Sequence, residues 1–280
     1  MALLERATDP WGRDVPVHVD GSLIWVAVGG ALLFVVGHAL YLRLRARPRR
    51  FQGGAPADGV PARVPRHSLS ARSFHWFMAA AMTASLATAF LPRVGVRFAW
   101  VSLHWLAGLA LTASVLYHVV HASFWLDFRS IWPDRIDLED AVRRARRALG
   151  REAPPPRRFA KYPLENKLYH LVVAIAGLSA IATGLLMLFR VRTPFLPRDP
   201  FLLGDRAWGL TYVLHGLAGV GLILLVAVHV YFGLRPEKRP ITRSMISGWM
   251  SREYYLEEHD PARWRVGAAA EPPGSERGRA

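Results

Sequence analysis

The sequence predicts an all-α membrane protein, in which a bundle of four transmembrane helices follows one additional N-terminal transmembrane helix. Hydrophobic residues make up 52% of the 280 residues, and they are gathered into five blocks. Each block reaches the roughly 20 residues that a helix needs to cross a bilayer. Charge is almost absent from the interiors of these blocks, which cover residues 22–42, 73–91, 99–122, 167–189 and 209–233.

The distribution of positive charge predicts the orientation of these spans. The formal net charge is +15, which alone would suit a nucleic-acid partner. However, 28 of the 36 Lys and Arg residues fall in one set of alternating loops and 8 in the other. Basic loops stay in the cytoplasm, so we expect the N-terminus outside and the C-terminus inside a bacterial inner membrane, and no nucleic-acid partner. The basic set comprises residues 43–72, 122–167 and 234–280.

The chain is expected to have four parts. Residues 1–45 form a retained transmembrane helix, because its basic residues follow the apolar stretch instead of preceding it as in a cleaved signal peptide. Residues 46–66 are rich in Pro, Gly and Arg and predict a flexible cytoplasmic linker. Residues 67–265 form the four-helix domain, and residues 266–280 a disordered cytoplasmic tail.

The four-helix domain contains a cytoplasmic insert at about residues 123–166. Within it, acidic residues precede basic ones from Asp137 to Leu149, and Gly150 follows. Acids at the start, bases at the end and a terminal glycine are typical of a helix. We expect a short surface helix whose arginines meet anionic lipid or a partner.

An internal repeat relates the second and third spans to the fourth and fifth. Residues 103–119 align without gaps on residues 214–230, and both segments carry Leu-His at their start, Ala-Gly four residues on and His near their end. The preceding spans also match, with Phe74-His75 on Tyr169-His170 and Ala87-Thr88 on Ala182-Thr183. A duplicated helix pair predicts equivalent histidines around a pseudo-twofold axis.

Histidine is the residue that points to a function. Ionisable groups in a bilayer are costly and usually functional, and eight of the 11 histidines fall within the predicted spans. His104 and His118 are 14 residues apart, as are His215 and His229. Fourteen residues rise about 21 Å and return to a similar helix face. Such residues, paired across a bundle, could hold two haems stacked along the membrane normal.

Two glycines support a haem site. Gly108 and Gly219 each follow a histidine, His104 and His215, by one helical turn. A flat, broad porphyrin needs the helix surface beside its ligand to be clear. The alternative is that these glycines only let two helices approach closely. The same offset in both halves of the repeat favours haem packing.

The remaining histidines have simpler interpretations. His38 and His121 are expected at the membrane interface. His75 and His170 begin their spans at the cytoplasmic end, where hydrogen-bonded interfacial histidines are also plausible.

The chain has no cysteine, which excludes disulfides, covalent c-type haem attachment and thiolate-bound iron–sulfur clusters within it.

Several segments resemble a known family. Arg72-Ser-Phe-His75-Trp76 is similar to the start of the membrane cytochrome b subunits of formate dehydrogenase and nickel–iron hydrogenase. Leu103-His104 with Gly108, and His215 with His229, continue that pattern. The segment from Arg243 to Arg252 resembles the one that follows the last helix in the formate dehydrogenase gamma subunit. The resemblance covers about residues 67–265.

The resemblance implies a di-haem cytochrome b bundle and a set of iron ligands. The outer haem would be held by His104 and His215, and the inner haem by His75 and His229. His118 is an alternative to His75, because the repeat favours a symmetrical pairing of His118 with His229. Since four histidines, including His170, lie near the cytoplasmic ends of the spans, there is also room for a third haem.

The resemblance further implies the function and partners. It predicts the membrane subunit of a respiratory oxidoreductase, which passes electrons between a partner redox subunit and menaquinone or ubiquinone. The partner would be a periplasmic iron–sulfur, cytochrome or catalytic subunit, and the sequence permits either direction of flow. Substrate catalysis is expected in the partner. The additional N-terminal span departs from the family, as does Pro163, which stands where the family has a quinone-linked asparagine.

Two other functions would explain part of the sequence. A haem-free transporter or sensor could use membrane histidines as proton carriers, but the four core spans lack the interior proline of broken transporter helices. A purely structural anchor would explain the hydrophobicity and leave both 14-residue spacings as coincidence.

Overall fold

The computed structural model describes residues 3–45, 59–125, 128–155 and 157–266. These residues divide into two units, which we call the first and second units. The first contains residues 3–45, 73–125 and 169–232. The second contains the remaining described residues. Residues 46–58 of the predicted linker and 267–280 of the predicted tail lie outside the described residues.

Helices dominate the described chain, and the strands are few and short. The helices are α1 (Ser22–Arg45), α2 (Leu69–Phe90), α3 (Trp100–Trp125), α4 (Arg135–Ala148), α5 (Leu164–Met187), α6 (Asp205–Leu234), α7 (Arg239–Ser247) and α8 (Arg252–Glu258). The strands are β1 (Leu4–Thr8), β2 (Asp14–Val19), β3 (Arg63–Pro65) and β4 (Trp249–Ser251).

Five of these helices, α1, α2, α3, α5 and α6, are long and apolar enough to cross a membrane. This confirms the predicted fold class. Their outward surfaces carry large apolar side chains, and Leu33, Phe124 and Ile175 are 75%, 76% and 61% exposed. Surfaces of this size and apolarity are rare on water-soluble proteins and match a lipid environment.

The N-terminal residues form a β-hairpin, which the sequence did not predict. Strands β1 and β2 pair antiparallel, and the Asp9 carboxylate accepts hydrogen bonds from the backbone N–H groups of Trp11 and Arg13 in the turn. Strand β2 lies against α6 at Gly209 and Gly216, where a Cβ atom would overlap the backbone and side chains of β2. These two glycines therefore permit the contact.

Helix α1 also packs within the first unit. At one end, Trp25 meets Phe90 edge to face, with ring centroids 5.6 Å apart. Near the other end, His38 Nδ1 lies 2.9 Å from the hydroxyl oxygen of Tyr231. His38 was predicted to be interfacial, and the structure gives it a specific role in joining α1 to α6.

Helix α4 of the second unit confirms the helix predicted in the insert. Its N-cap is Asp134, and a capping box joins Asp134 and Asp137, each carboxylate accepting from the other residue's backbone N–H at 2.8 and 3.1 Å. Capping satisfies backbone donors that a helix start leaves free. The helix ends just before Gly150, whose φ of 72° is left-handed.

The segment that resembles the family's ending folds as a helix and a strand. Helix α7 ends at Ser247 and is capped by Gly248, where φ is 91°. Strand β4 then pairs antiparallel with β3. Strand β3 consists of residues 63–65, so the last part of the predicted linker is ordered. Val64 of β3 and Met250 of β4 belong to a small core that also contains Val60, Tyr255 and Leu256.

Two buried cations of the second unit have different partners. Lys167 Nζ lies 2.6 Å from Asp137 Oδ2, and both side chains are almost fully buried. Burial opposes ionisation of Asp137, but the hydrogen bonds from Lys167 and from Arg263 outweigh it and lower the pKa of this carboxyl. Arg66 instead has nitrogen acceptors, since its Nη1 lies 3.2 Å from His259 Nε2.

His259 makes the second unit sensitive to acid. It is only 3% exposed, and burial, followed by the charge of Arg66, lowers its pKa from 6.5 to about 4. Between about pH 6.5 and pH 4, His259 therefore binds a proton in the unfolded chain but not in the folded chain. The contribution of neutral His259 to the free energy of unfolding is fully present above about pH 6.5 and is lost as the pH falls towards 4. The full loss is about 3 kcal/mol.

This loss is expected to appear as faster hydrogen–deuterium exchange in α8 at pH 4.5 than at pH 7.5, after correction for the intrinsic pH dependence of exchange. In His259→Gln, the amide can still accept a hydrogen bond from Arg66 but does not titrate in this range. The corrected exchange of this variant should change much less between the two pH values. Equal pH sensitivity in both proteins would contradict the assignment to His259.

Candidate functional site: three facing pairs of histidines

Six histidines of the first unit face one another in three pairs. The ring centroids are 6.1 Å apart for His104 and His215, 6.3 Å for His75 and His229, and 6.3 Å for His118 and His170. Each pair joins two different helices. The structure therefore brings His229 to His75 and not to His118, the alternative that the repeat had favoured.

The His104–His215 pair is held by matching hydrogen bonds in the two halves of the repeat. His104 Nδ1 lies 2.9 Å from Thr88 Oγ1 and 3.1 Å from the carbonyl oxygen of Ser85. His215 Nδ1 lies 3.0 Å from Thr183 Oγ1 and 3.1 Å from the carbonyl oxygen of Ala180.

These contacts determine the tautomer of both imidazole rings, that is, which ring nitrogen carries the hydrogen. Each threonine hydroxyl donates its own hydrogen to a carbonyl oxygen of its helix, at 2.8 Å for Thr88 and 2.6 Å for Thr183. The hydroxyl oxygen and the neighbouring carbonyl can then only accept from the imidazole, so Nδ1 carries the hydrogen. Nε2 is left with a free lone pair, which is the form that binds a metal.

The two glycines beside this pair do not mediate close helix contacts. A Cβ atom built on Gly108 or Gly219 meets nothing within 4 Å. If these glycines allowed two helices to approach closely, an added Cβ would overlap a neighbour, as it does at Gly209 and Gly216. The observation removes the main alternative to a role in packing a flat cofactor.

The His75–His229 pair has an aromatic neighbour. The ring of Tyr169 stacks on His229, with centroids 5.2 Å apart and planes 17° apart. The Tyr169 hydroxyl donates to the carbonyl oxygen of Leu225 at 3.0 Å, which anchors the stacking ring to α6. The orientation of His229 is therefore set by packing.

The three pairs follow the pseudo-twofold symmetry of the repeat. A shift of 95 residues takes α2 onto α5, and a shift of 111 takes α3 onto α6. These shifts convert the His75–His229 pair into the His170–His118 pair. They convert the His104–His215 pair into itself with the two halves exchanged. The His75–His229 and His118–His170 pairs are thus equivalent, and the His104–His215 pair lies on the pseudo-twofold axis.

His121, the other histidine of α3, does not belong to these three pairs. Its ring stacks on those of Tyr117 and Trp125 along its own helix, at 5.6 and 5.9 Å. Two aromatic neighbours on one helix near its end suit the interfacial position that we predicted.

Sequence reasoning missed several residues that position the imidazoles. Thr88, Thr183, Tyr169 and Phe74 were recognised only as markers of the repeat, although their recurrence was the signal that they support the histidines. Gly184 was missed entirely. A Cβ there would lie 3.3 Å from His215 Cε1, so this glycine gives the ring of His215 its space.

The pair geometry fits a haem iron held by two axial imidazoles. A metal–imidazole bond is about 2 Å long, and the ring centre lies about 1 Å beyond the bonded nitrogen, so the two centroids should be about 6 Å apart. The observed separations of 6.1 to 6.3 Å agree. Gly108 and Gly219, beside His104 and His215, and the Nδ1–H donors on both rings of this pair complete the fit.

Replacing Thr183 with valine is expected to loosen haem at the His104–His215 pair. Valine keeps the shape but cannot accept the Nδ1–H bond of His215. Loss of such a supporting bond typically lowers metal-site affinity about 10-fold or more. The rate of haem transfer to excess apomyoglobin measures this effect. Thr211→Val is the control, because the Thr211 hydroxyl donates to a carbonyl oxygen of its own helix and, within the described part of the chain, makes no hydrogen bond to a histidine. Equal rates in both variants would contradict the assigned role.

A comparison with protein families identifies the family to which this chain belongs. The model of the prokaryotic cytochrome b561 family matches residues 66–248, which contain all six paired histidines. No curated protein matches the chain. The matched region covers about two thirds of the sequence, and the protein has five apolar helices of membrane-spanning length. The chain thus belongs to the prokaryotic cytochrome b561 family and is a multi-pass membrane protein that binds b-type haem and transfers electrons.

Proposed function

We propose that this chain is the membrane-anchoring di-haem cytochrome b subunit of a respiratory oxidoreductase, similar to the gamma subunit of formate dehydrogenase. The observation that supports the proposal most is the pairing of two histidines of α6 with histidines of two other helices. His215 faces His104, and His229 faces His75. The 14 residues between His215 and His229 separate the two pairs by about 21 Å along the helix.

Each pair would hold one haem. His104 and His215 would hold the outer haem, and His75 and His229 would hold the inner haem. Bound b-type haem supplies a carrier of single electrons. The residues of this chain fix the ligand orientation, as Thr88 and Thr183 do, and Gly108 and Gly219 leave space for the porphyrin beside the outer ligands.

The basic loops support an orientation in the bacterial inner membrane with the N-terminus outside. In that orientation the His104–His215 pair lies near the periplasmic face and the His75–His229 pair near the cytoplasmic face. A periplasmic iron–sulfur, cytochrome or catalytic subunit would exchange electrons at the outer pair. Menaquinone or ubiquinone would react near the inner pair, and substrate catalysis would belong to the partner.

Reconstitution in liposomes tests this proposal. The purified chain, loaded with haem, should carry electrons from a quinol inside the vesicles to ferricyanide outside, which stands in for the outer partner. His104→Ala should slow this transfer at least 10-fold, while the quinol still reduces the remaining haem. His121→Ala should behave like the unaltered chain. A haem-loaded chain that a quinol does not reduce would contradict the role in quinone chemistry, and a colourless chain would contradict haem binding altogether.

A further inference from the structure

We propose that His118 and His170 hold a third haem, equivalent to the one at the His75–His229 pair. The proposal rests on the proposed function, because it assumes that facing imidazoles of this unit bind haem. It adds a site that the resemblance to two-haem subunits does not supply. The internal repeat and the contacts around the two rings both support it.

The geometry of this pair is similar to that of its symmetry mate. The centroid separation is 6.3 Å for His118 and His170 and 6.3 Å for His75 and His229. The planes are 64° apart in the first pair and 52° apart in the second. Two imidazoles joined directly by a hydrogen bond of about 2.9 Å would bring the centroids to about 5 Å. The observed spacing leaves space for a metal between them.

The surroundings of the two pairs are also equivalent. Phe74 stacks on His118 with centroids 4.3 Å apart and planes 8° apart. Tyr169 stacks on His229 in the same way. Phe74 and Tyr169 occupy matching positions of the repeat, as do His118 and His229. In each pair, an aromatic ring therefore orients one of the two histidines, His118 in one pair and His229 in the other.

The number of ligands favours haem over a bare metal ion. Zinc and non-haem iron sites in proteins usually draw at least three ligands from side chains. Within the described residues there is no group of three or more His, Cys, Asp or Glu side chains that could hold such an ion. Haem brings four equatorial nitrogen atoms of its own, so two facing imidazoles complete its iron coordination.

The two equivalent pairs lie at the same end of the helices. His75 and His170 are near the starts of α2 and α5, and His118 and His229 are near the ends of α3 and α6. Reduction of a quinone takes up two electrons and two protons to give the quinol. Two one-electron carriers at the end where we propose that quinone reacts would match this demand.

Haem counting in the full-length chain tests the third site. The chain is expressed with ample haem supply and purified in detergent, and the haem-to-protein ratio is measured as the pyridine haemochrome. We expect three haems per chain. His118→Ala and His170→Ala should each lower the ratio to two, and the double variant should also retain two. His121→Ala is the matched control on α3 and should retain three.

The outcomes separate this proposal from the proposed function. Two haems in the unaltered chain, with His118→Ala still binding two, would overturn the third site and leave the di-haem subunit intact. No haem in any protein would overturn both. If the alanine variants do not fold, redox titration of the unaltered chain decides the question. Three low-spin haem components of equal amplitude support the proposal, and two components overturn it.

Discussion

Replacing His215 with alanine is expected to abolish haem binding at the His104–His215 pair and to leave the other haem sites loaded. A b-type haem is held by its axial ligands and by packing, without a covalent bond. Loss of one imidazole from a pair whose rings are 6.1 Å apart removes half of the axial coordination. The haemochrome ratio should fall by one haem per chain, and one component should disappear from the redox titration.

The same loss is expected for His104→Ala, and the two changes should not add. Adding free imidazole to His215→Ala should restore the missing absorbance, because the small ligand can occupy the space of the deleted ring. His121→Ala controls for loss of a histidine from a membrane helix. An unchanged haem ratio in His215→Ala would show that His215 is not an iron ligand.

Replacing Gly219 with leucine is expected to prevent haem binding beside His215 without unfolding the protein. A Cβ atom at this position meets nothing within 4 Å, so the larger side chain has room in the absence of the cofactor. That same room is where the porphyrin would lie. We expect at least a 10-fold drop in haem occupancy at the His104–His215 pair, measured from the haemochrome ratio and the redox titration.

Gly221→Leu is the matched control for this prediction. Gly221 lies on the same helix, and an added Cβ there also meets nothing within 4 Å. Two residues rotate a side chain by about 200° around a helix, so Gly221 lies on another face from Gly219. Equal haem content in both leucine variants would contradict a role for Gly219 in packing the porphyrin. The Gly108→Leu variant should reproduce the effect from the other half of the repeat.

The membrane helices were the most predictable part of the fold. Blocks of about 20 apolar residues have few structural solutions, because a bilayer requires each backbone polar group to be satisfied within the segment. Helix α4 was predictable for a different reason, since Asp137 and Gly150 gave its start and stop. The orientation of the spans and the boundaries of the predicted domains remain predictions.

The N-terminal hairpin was not predictable by the same reasoning. Strands β1 and β2 are short and half polar, so their residues resemble any exposed loop. Their position depends on contact with Gly209 and Gly216 of α6, nearly 200 residues away in the sequence. Small residues in a membrane helix predict close approach by some element, but they do not say which one.

The candidate site was predictable in its residue types and less so in its pairings. Helical spacing placed His215 and His229 on one face of α6. It could not decide between His75 and His118 as the neighbour of His229, because that choice depends on how the helices are arranged in space. The structure gives His118 a different neighbour, His170. Once His229 is paired with His75, the repeat implies the pair His118 and His170, because the shifts that relate its halves map His229 onto His118 and His75 onto His170.

Because the His104–His215 pair lies on the pseudo-twofold axis, each half of the repeat contributes equivalent residues to the same site. Thr88 and Thr183 occupy equivalent positions of the repeat and contact His104 and His215, the two proposed ligands of one haem. The effects of replacing each threonine can therefore be compared within a single site. Any inequality reports how far the duplicated halves have drifted apart. One difference between the halves is already visible. Gly184, which lies beside the ring of His215, corresponds to Ala89 in the first half of the repeat.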